Sequence, residues 1–225
     1  MEEAAPVAVI VTEDPVGRGA RWLADALADA DRARGGAGAR LGIPGGSALM
    51  VAVAARGLVA DDVWGRVRLV YVDERDVAAA DPDSNHGAAE RAGLFARGAP
   101  ALVLRLVLDG EAVDDALARV RAAWEADLEG GLDVTLLGMG PDGHIASLFP
   151  DRPAPSGTAA FVPDSPKPPP ERFTLTRSAL ATAPRALLVA TGEAKREALA
   201  ELVAGRGDSP ARGLPGLVVV TDLTL

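Results

Sequence analysis

Leu136-Leu137-Gly138-Met139-Gly140-Pro141-Asp142-Gly143-His144-Ile145-Ala146-Ser147-Leu148-Phe149-Pro150 is the stretch around which the rest of the chain is read. An apolar run from Val134 to Leu137 enters a turn holding Gly138, Gly140, Pro141 and Gly143, and the turn delivers His144. An apolar segment then runs from Ile145 to Phe149 until Pro150 stops it. The pattern predicts a buried strand, a tight turn and a short helix with His144 near its first turn. At that position the helix dipole favours a neutral imidazole, which can take a proton from water near neutral pH. From the local pattern alone, a turn histidine bonded to backbone is the alternative. His86 is the only other histidine.

Gly138, Gly140 and Gly143 also fit the G-x-G-x-x-G spacing of a dinucleotide-binding turn. That motif requires an acidic residue roughly 20 positions on, at the end of the next strand. Here the region reads Phe161-Val162-Pro163-Asp164-Ser165-Pro166, too rich in proline for a central strand. A nicotinamide site is excluded on that ground.

Outward from this turn, strands and helices alternate. Val7–Val11, Arg40–Ile43, Val67–Val72, Leu102–Leu108, Ala186–Ala190 and Leu217–Thr221 read as strands, and Phe173–Thr176 as a half-exposed one. Helices are expected over Val16–Arg34, Ala48–Leu58, from a cap at Asp83-Ser84-Asn85 to about Phe95, over Ala112–Leu128 and from Ala194 to about Ala204. The segment from Pro150 to Pro170 carries Pro163, Pro166, Pro168, Pro169 and Pro170, and is expected to be irregular. No internal repeat and no linker interrupts the pattern. The expectation is one α/β domain over residues 1–225, with a doubly wound, largely parallel sheet and helices on both faces.

The chain has 225 residues and is 48% hydrophobic, enough for a substantial core. A formal net charge of -9 argues against nucleic acid or an anionic membrane as partner. It leaves room for a small anion held by local cations and backbone N–H groups. There is no cysteine, hence no disulfide, thiolate nucleophile or cysteine metal site, and two distant histidines make a zinc centre improbable. The opening Met1-Glu2-Glu3 lacks a basic leader and no apolar run is long enough to span a bilayer, so a cytoplasmic protein is expected.

Ligands of open parallel sheets bind beyond the carboxyl ends of the strands. Four polar clusters fall there: Gly45-Gly46-Ser47 after Ile43, Asp73 and Arg75 after Val72, His144 after Leu137, and Lys195 after Ala190. The glycine turn can offer bare N–H groups and a hydroxyl to phosphate or sugar oxygens, or it can be an ordinary turn with Ser47 as N-cap. Asp73-Glu74-Arg75-Asp76, Glu171-Arg172 and Lys195-Arg196 read by default as solvated charge. No nucleotide-triphosphate loop occurs, and Ser147 lies in no nucleophile elbow.

Tyr71-Val72-Asp73-Glu74-Arg75, Ser84-Asn85, Gly138 to Pro150, Arg172-Phe173-Thr174-Leu175-Thr176 and Gly192-Glu193-Ala194-Lys195 together resemble the 6-phosphogluconolactonase family. The likeness spans most of the chain in the expected order. Glucosamine-6-phosphate deaminases share a related turn, but N-E-P typically follows it where Ser147-Leu148-Phe149-Pro150 stands here. The glycine turn departs from the family, with Ala48-Leu49 after Ser47 in place of threonine-proline. The resemblance implies hydrolysis of 6-phospho-D-glucono-1,5-lactone by a monomer with no metal and no cofactor. It implies His144 as general base, Asp73 orienting it or stabilising its charge, Arg75, Arg172 and Lys195 on the phosphate, and Gly45-Gly46-Ser47 lining the site. An amino-sugar-phosphate isomerase-deaminase and a non-catalytic sugar-phosphate sensor are the rival readings.

Overall fold

The computed structural model describes residues 7–225; the acidic opening Met1-Glu2-Glu3 lies outside them. The first strand, β1 (Ala8–Val11), leads to Asp14, whose carboxylate accepts the Gly17 N–H and, with Pro15 at the first helical position, starts α1 (Pro15–Ala33). Next come β2 (Arg40–Ile43), α2 (Leu49–Arg56), a one-turn α3 (Asp61–Trp64) and β3 (Arg68–Tyr71). A three-residue β4 (Asp73–Arg75) and α4 (Asn85–Arg91) follow, then β5 (Leu102–Leu104), α5 (Val113–Asp127) and β6 (Val134–Gly138). The last third holds β7 (Ala159–Val162), β8 (Arg172–Leu175), α6 (Arg177–Leu180), β9 (Arg185–Val189), α7 (Arg196–Val203) and β10 (Leu217–Thr221).

Seven strands form one parallel sheet in the order β1-β10-β9-β6-β2-β3-β5. From β2 the chain winds through β3 to β5, and from β6 it winds the other way through β9 to β10. The doubly wound expectation is met, and the winding reverses between β2 and β6. The middle strand β6 is buried on both faces, with Val134, Leu136 and Leu137 fully enclosed, as an internal parallel strand must be. Helix α1 turns Leu23, Ala26 and Leu27 inward and packs on α2, β6, β9 and β10.

A second, antiparallel sheet, β4-β8-β7, stands beside the first. It corrects three expectations. The proline-rich segment is not wholly irregular, because its prolines flank Ala159–Val162 and none falls inside it. Strand β8 is buried along its whole length, not half-exposed, because it is the middle strand of this sheet. The charge run after Val72 is not all solvated, since Asp73 and Glu74 are buried in β4. Strand β5 stops at Leu104 instead of Leu108.

Glu74 ties the small sheet to α4. Its carboxylate accepts the N–H groups of Arg75 (2.8 Å), Asn85 (2.7 Å) and His86 (2.8 Å) and the Ser84 hydroxyl (3.3 Å). Burial pushes its carboxyl upward from the usual range, opposed by those N–H donors. Buried N–H groups without an acceptor cost about 1–3 kcal/mol each. Glu74→Leu should therefore lower unfolding stability by at least about 3 kcal/mol in urea titration, and a loss below about 1 kcal/mol would remove Glu74 from this structural role.

Candidate active site

The reversal between β2 and β6 opens a crevice at the carboxyl ends of the strands, as open α/β sheets require. A cavity of about 170 Å³ lies there, walled by the glycine turn after β2, by β4, by the turn after β6 and by Lys195. Gly45, Gly46, Ser47, Asp73, Arg75, His144, Arg172 and Lys195 all line it, so residues from five sequence clusters meet in one place. A larger cavity of about 720 Å³ lies on the far side of Ser147–Pro150, walled chiefly by apolar residues such as Phe149, Phe161 and Pro153. It contains neither His144 nor Arg75, Arg172 and Lys195, all of which line the smaller one.

His144 is not at a helix N-terminus. Ala146 takes φ +50°, Leu148 N–H bonds Ile145 O at 2.9 Å, and Ser147 N–H bonds the Thr174 hydroxyl at 3.2 Å. These bonds close a tight turn and use the N–H groups a helix would have needed, so the dipole argument for His144 fails. His144 is held by three other contacts, two of them to its imidazole. Its Nδ1 lies 2.5 Å from Asp142 Oδ1, its ring centroid is 4.9 Å from that of Phe149, and its backbone carbonyl accepts the Gly140 N–H at 2.9 Å. Gly140 is required by space: a Cβ there would lie 2.1 Å from His144 Cε1. Because a carboxylate only accepts, Nδ1 carries the hydrogen and Nε2 carries the lone pair. Burial raises the Asp142 carboxyl, but the hydrogen bond and charge of His144 outweigh it and leave it lowered.

The carboxylate hydrogen-bonded to the imidazole is that of Asp142, and Asp73 makes no hydrogen bond to it among the described residues. Asp73 is buried and occupied elsewhere, its Oδ2 accepting the Ser147 hydroxyl at 2.9 Å and its Oδ1 the Asn85 amide at 3.3 Å. A signal for Asp142 was present in the sequence, since it stands two residues before His144 across a glycine that turns the chain back at φ +83°. The sequence offers Asn85 as part of a cap and of the family resemblance, without a place in the site. The cap is Ser84, which accepts the Gly87 N–H at 3.0 Å, leaving the Asn85 side chain to the cavity.

The glycine turn forms a short 3₁₀ turn over Gly46–Ala48, and Ser47 is not an N-cap: α2 begins after Ala48 with no side-chain cap. Among the described residues the N–H groups of Gly45, Gly46 and Ser47 have no acceptor. Arg75 and Arg172 are direct cross-strand partners in β4 and β8, and neither pairs with a carboxylate among the described residues. Arg75 donates to Asp83 O and keeps a buried Nε unpaired. Arg172 Nε and Nη2 donate to the carbonyls of Pro169, Lys167 and Pro168, leaving Nη1 free, so much of this guanidinium braces the proline loop. Burial lowers the pKa of Arg172; Asp73 raises it and Arg75 lowers it further. Lys195 is half-buried without a carboxylate partner among the described residues, and burial lowers its pKa against the upward pull of Asp222. Among the described residues no cluster of His, Asp and Glu has metal-ligand spacing, and no helix is long and apolar enough to cross a membrane.

With two histidines, ¹⁵N NMR of the imidazoles resolves the site directly. Gly140→Ala should shift the His144 ring signals and leave those of His86 unchanged, with the fold retained. An unmoved His144 would show that the close approach of Gly140 does not set the ring.

The sequence profile described as glucosamine-6-phosphate isomerases/6-phosphogluconolactonase matches residues 12–221. A 6-phosphogluconolactonase of Mycobacterium leprae is 36% identical over 221 residues, covering 90% of this chain and 87% of that protein. The human 6-phosphogluconolactonase is 40% identical over 112 residues, which span 48% of this chain and only 42% of the human protein. The crystal structure of 6-phosphogluconolactonase from Thermotoga maritima superposes with a TM-score of 0.84 at 22% identity, covering 96% of this chain and 98% of that one. A reversed sheet, a histidine turn at its switch point and a profile match from residue 12 to 221 agree: the chain belongs to the glucosamine-6-phosphate isomerase/6-phosphogluconolactonase family.

Proposed function

We propose that this chain hydrolyses 6-phospho-D-glucono-1,5-lactone to 6-phospho-D-gluconate, the lactonase step of the oxidative pentose phosphate pathway. The observation that carries the reading is the convergence on one cavity of a free imidazole Nε2 and an arginine pair, Arg75 beside Arg172, that makes no salt bridge among the described residues. Like charges directly opposite on paired strands destabilise a sheet. Two such arginines, neither of them salt-bridged among the described residues, are explained by an anion they are built to receive.

His144 Nε2 takes a proton from water as the water oxygen attacks the lactone carbonyl carbon. Asp142 holds the ring in the required tautomer and offsets the positive charge the ring acquires. Asp73, on the same cavity wall, adds negative charge to the surroundings of that imidazolium. The tetrahedral oxyanion collapses, the bond from the carbonyl carbon to the ring oxygen breaks, and the imidazolium returns its proton to the departing oxygen. The lactone is already activated, so positioning plus one base suffices without metal or cofactor. Arg75, Lys195 and the free Nη1 of Arg172 hold the phosphate, with the N–H groups of Gly45, Gly46 and Ser47 directed to substrate oxygens. Every residue given a role in this reading lines one cavity of a single chain or, for Asp142, bonds a residue that does, and with it we propose a monomer, acting in the cytoplasm.

The test is lactone disappearance corrected for spontaneous hydrolysis; ammonia release from glucosamine 6-phosphate in its place would overturn the reading. His144→Ala should keep the fold and lower kcat by about 100-fold or more, the range for a lost general base. Near-normal turnover in the folded variant would exclude His144.

Each charge-assisted contact to phosphate is worth about 1.5–3 kcal/mol. Lys195→Met should therefore cost the phosphorylated lactone at least about 10-fold more in kcat/KM than plain gluconolactone, whereas His144→Ala should hurt both alike. Equal losses in the Lys195 variant would overturn its phosphate role. Because burial lowers the Lys195 pKa, its charge is lost at lower pH than that of a free lysine. Phosphate binding favours the charged form, so 6-phosphogluconate affinity should begin to fall as pH rises through the lowered Lys195 pKa of the free enzyme, earlier than for an ordinary lysine.

A further inference from the structure

We infer that Asn85 is a specificity-determining residue whose side-chain oxygen Oδ1 accepts a hydrogen bond from a ring hydroxyl of the substrate; the inference rests on the lactonase reading above. Asn85 is 2% exposed and lines the cavity. Its amide cannot be turned over. Nδ2 donates to the Asp73 carbonyl at 2.9 Å and to Asp73 Oδ1 at 3.3 Å, and a reversed amide would set oxygen against two acceptors. The oxygen end lies against Gly45, where a Cβ would come within 1.8 Å of Oδ1. Among the described residues nothing donates to this oxygen. Among the described residues the unpaired side-chain atoms sealed from solvent are Arg56 Nε, Arg75 Nε, Arg105 Nε and Thr135 Oγ1, so Asn85 Oδ1 is not sealed. The exposed part of Asn85 thus includes an open acceptor on the cavity wall.

The chemistry of the other groups shows what the acceptor is for. Arg75, Arg172 and Lys195 can only donate, and they suit phosphate. His144 Nε2 is committed to water, and both oxygens of Asp73 already accept one bond. A lactone with free hydroxyls at C2, C3 and C4 brings donors that these cations cannot satisfy. Asn85 Oδ1 is a neutral, fixed acceptor for one of them. A site built to bond a hydroxyl rejects the analogue that lacks it, because the buried acceptor is then left unpaired.

The experiment measures kcat/KM for the phosphorylated lactone and its 2-, 3- and 4-deoxy counterparts, with wild type, Asn85→Ala and Asn85→Ser. Wild type should lose about 10- to 100-fold on one deoxy substrate. Asn85→Ala should lose a similar factor on the parent lactone and little more on that same deoxy substrate. A merely structural role would lower all four substrates by one factor, and that result overturns the inference. So does a wild type that loses less than about 3-fold on every deoxy substrate, whether or not the variants fold. If Asn85→Ala does not fold, Asn85→Ser, which keeps a polar group at the helix start, decides by the same comparison. If neither folds, the wild-type series decides alone. Failure of wild type to hydrolyse the parent lactone overturns the proposed function and this inference together; hydrolysis with uniform losses overturns the inference alone.

Discussion

Arg40 and Asp133 set the register on which the site depends. Asp133 accepts the Arg40 backbone N–H at 2.8 Å and grips its guanidinium through Nε at 3.1 Å and Nη2 at 2.7 Å, while the Asp133 N–H returns a bond to Arg40 O at 2.9 Å. The forked geometry fixes direction as well as distance. It stands at the amino ends of β2 and β6, strands far apart in sequence that lie parallel and adjacent where the winding reverses. With the amino ends pinned, strands of 4 and 5 residues bring their exit turns out side by side. One exit is the Gly45-Gly46-Ser47 turn, the other the Gly140–His144 turn. A slip of one residue would invert which side chains face the core and part the two turns.

The small antiparallel sheet adds what the parallel sheet cannot. Parallel strands leave their carboxyl ends as turns, which supply N–H groups and a histidine. Pairing β4 with β8 puts Arg75 opposite Arg172 and fixes both by the backbone ladder. Glu74, between Asp73 and Arg75 on the alternating strand, points away from the cavity and holds the start of α4. Three consecutive residues of β4 therefore serve the cavity, the scaffold and the cavity again, a division set by strand periodicity alone.

The parallel sheet was legible because its strands are short, mainly apolar runs beside turn residues, as in Val134–Leu137 before Gly138 and Leu217–Thr221 after Gly216. The small sheet was not. A strand of three charged residues such as β4 has no hydrophobic period, and β7 is too short to stand out among the prolines that flank it. His144 was legible as a residue but not in its support. The apolar segment after it reads as a helix, yet its apolar side chains are buried by a bridge turn that Ala146 makes through a left-handed backbone. Asp73 and Asp142 are both acidic and both follow a strand of the parallel sheet; only the folded path decides which carboxylate reaches the imidazole.

The glycines of the two exit turns are of two kinds, and the difference explains why these turns form a site. Gly46 (φ +61°) and Gly143 (φ +83°) bend the chain through backbone that other residues rarely adopt. Gly45 has φ -84° and ψ -160°, which any residue tolerates. It is glycine because the Asn85 amide occupies the place of its side chain. Gly140 stands in the same relation to the His144 imidazole. Each turn thus pairs a glycine that bends with a glycine that makes room, and the second kind is matched to a polar side chain lining the cavity. Alanine at the second kind leaves the path of the chain intact but takes the space its neighbour needs. The G-x-x-G and G-G patterns therefore specify where two polar side chains of the cavity lie, in addition to how two loops turn.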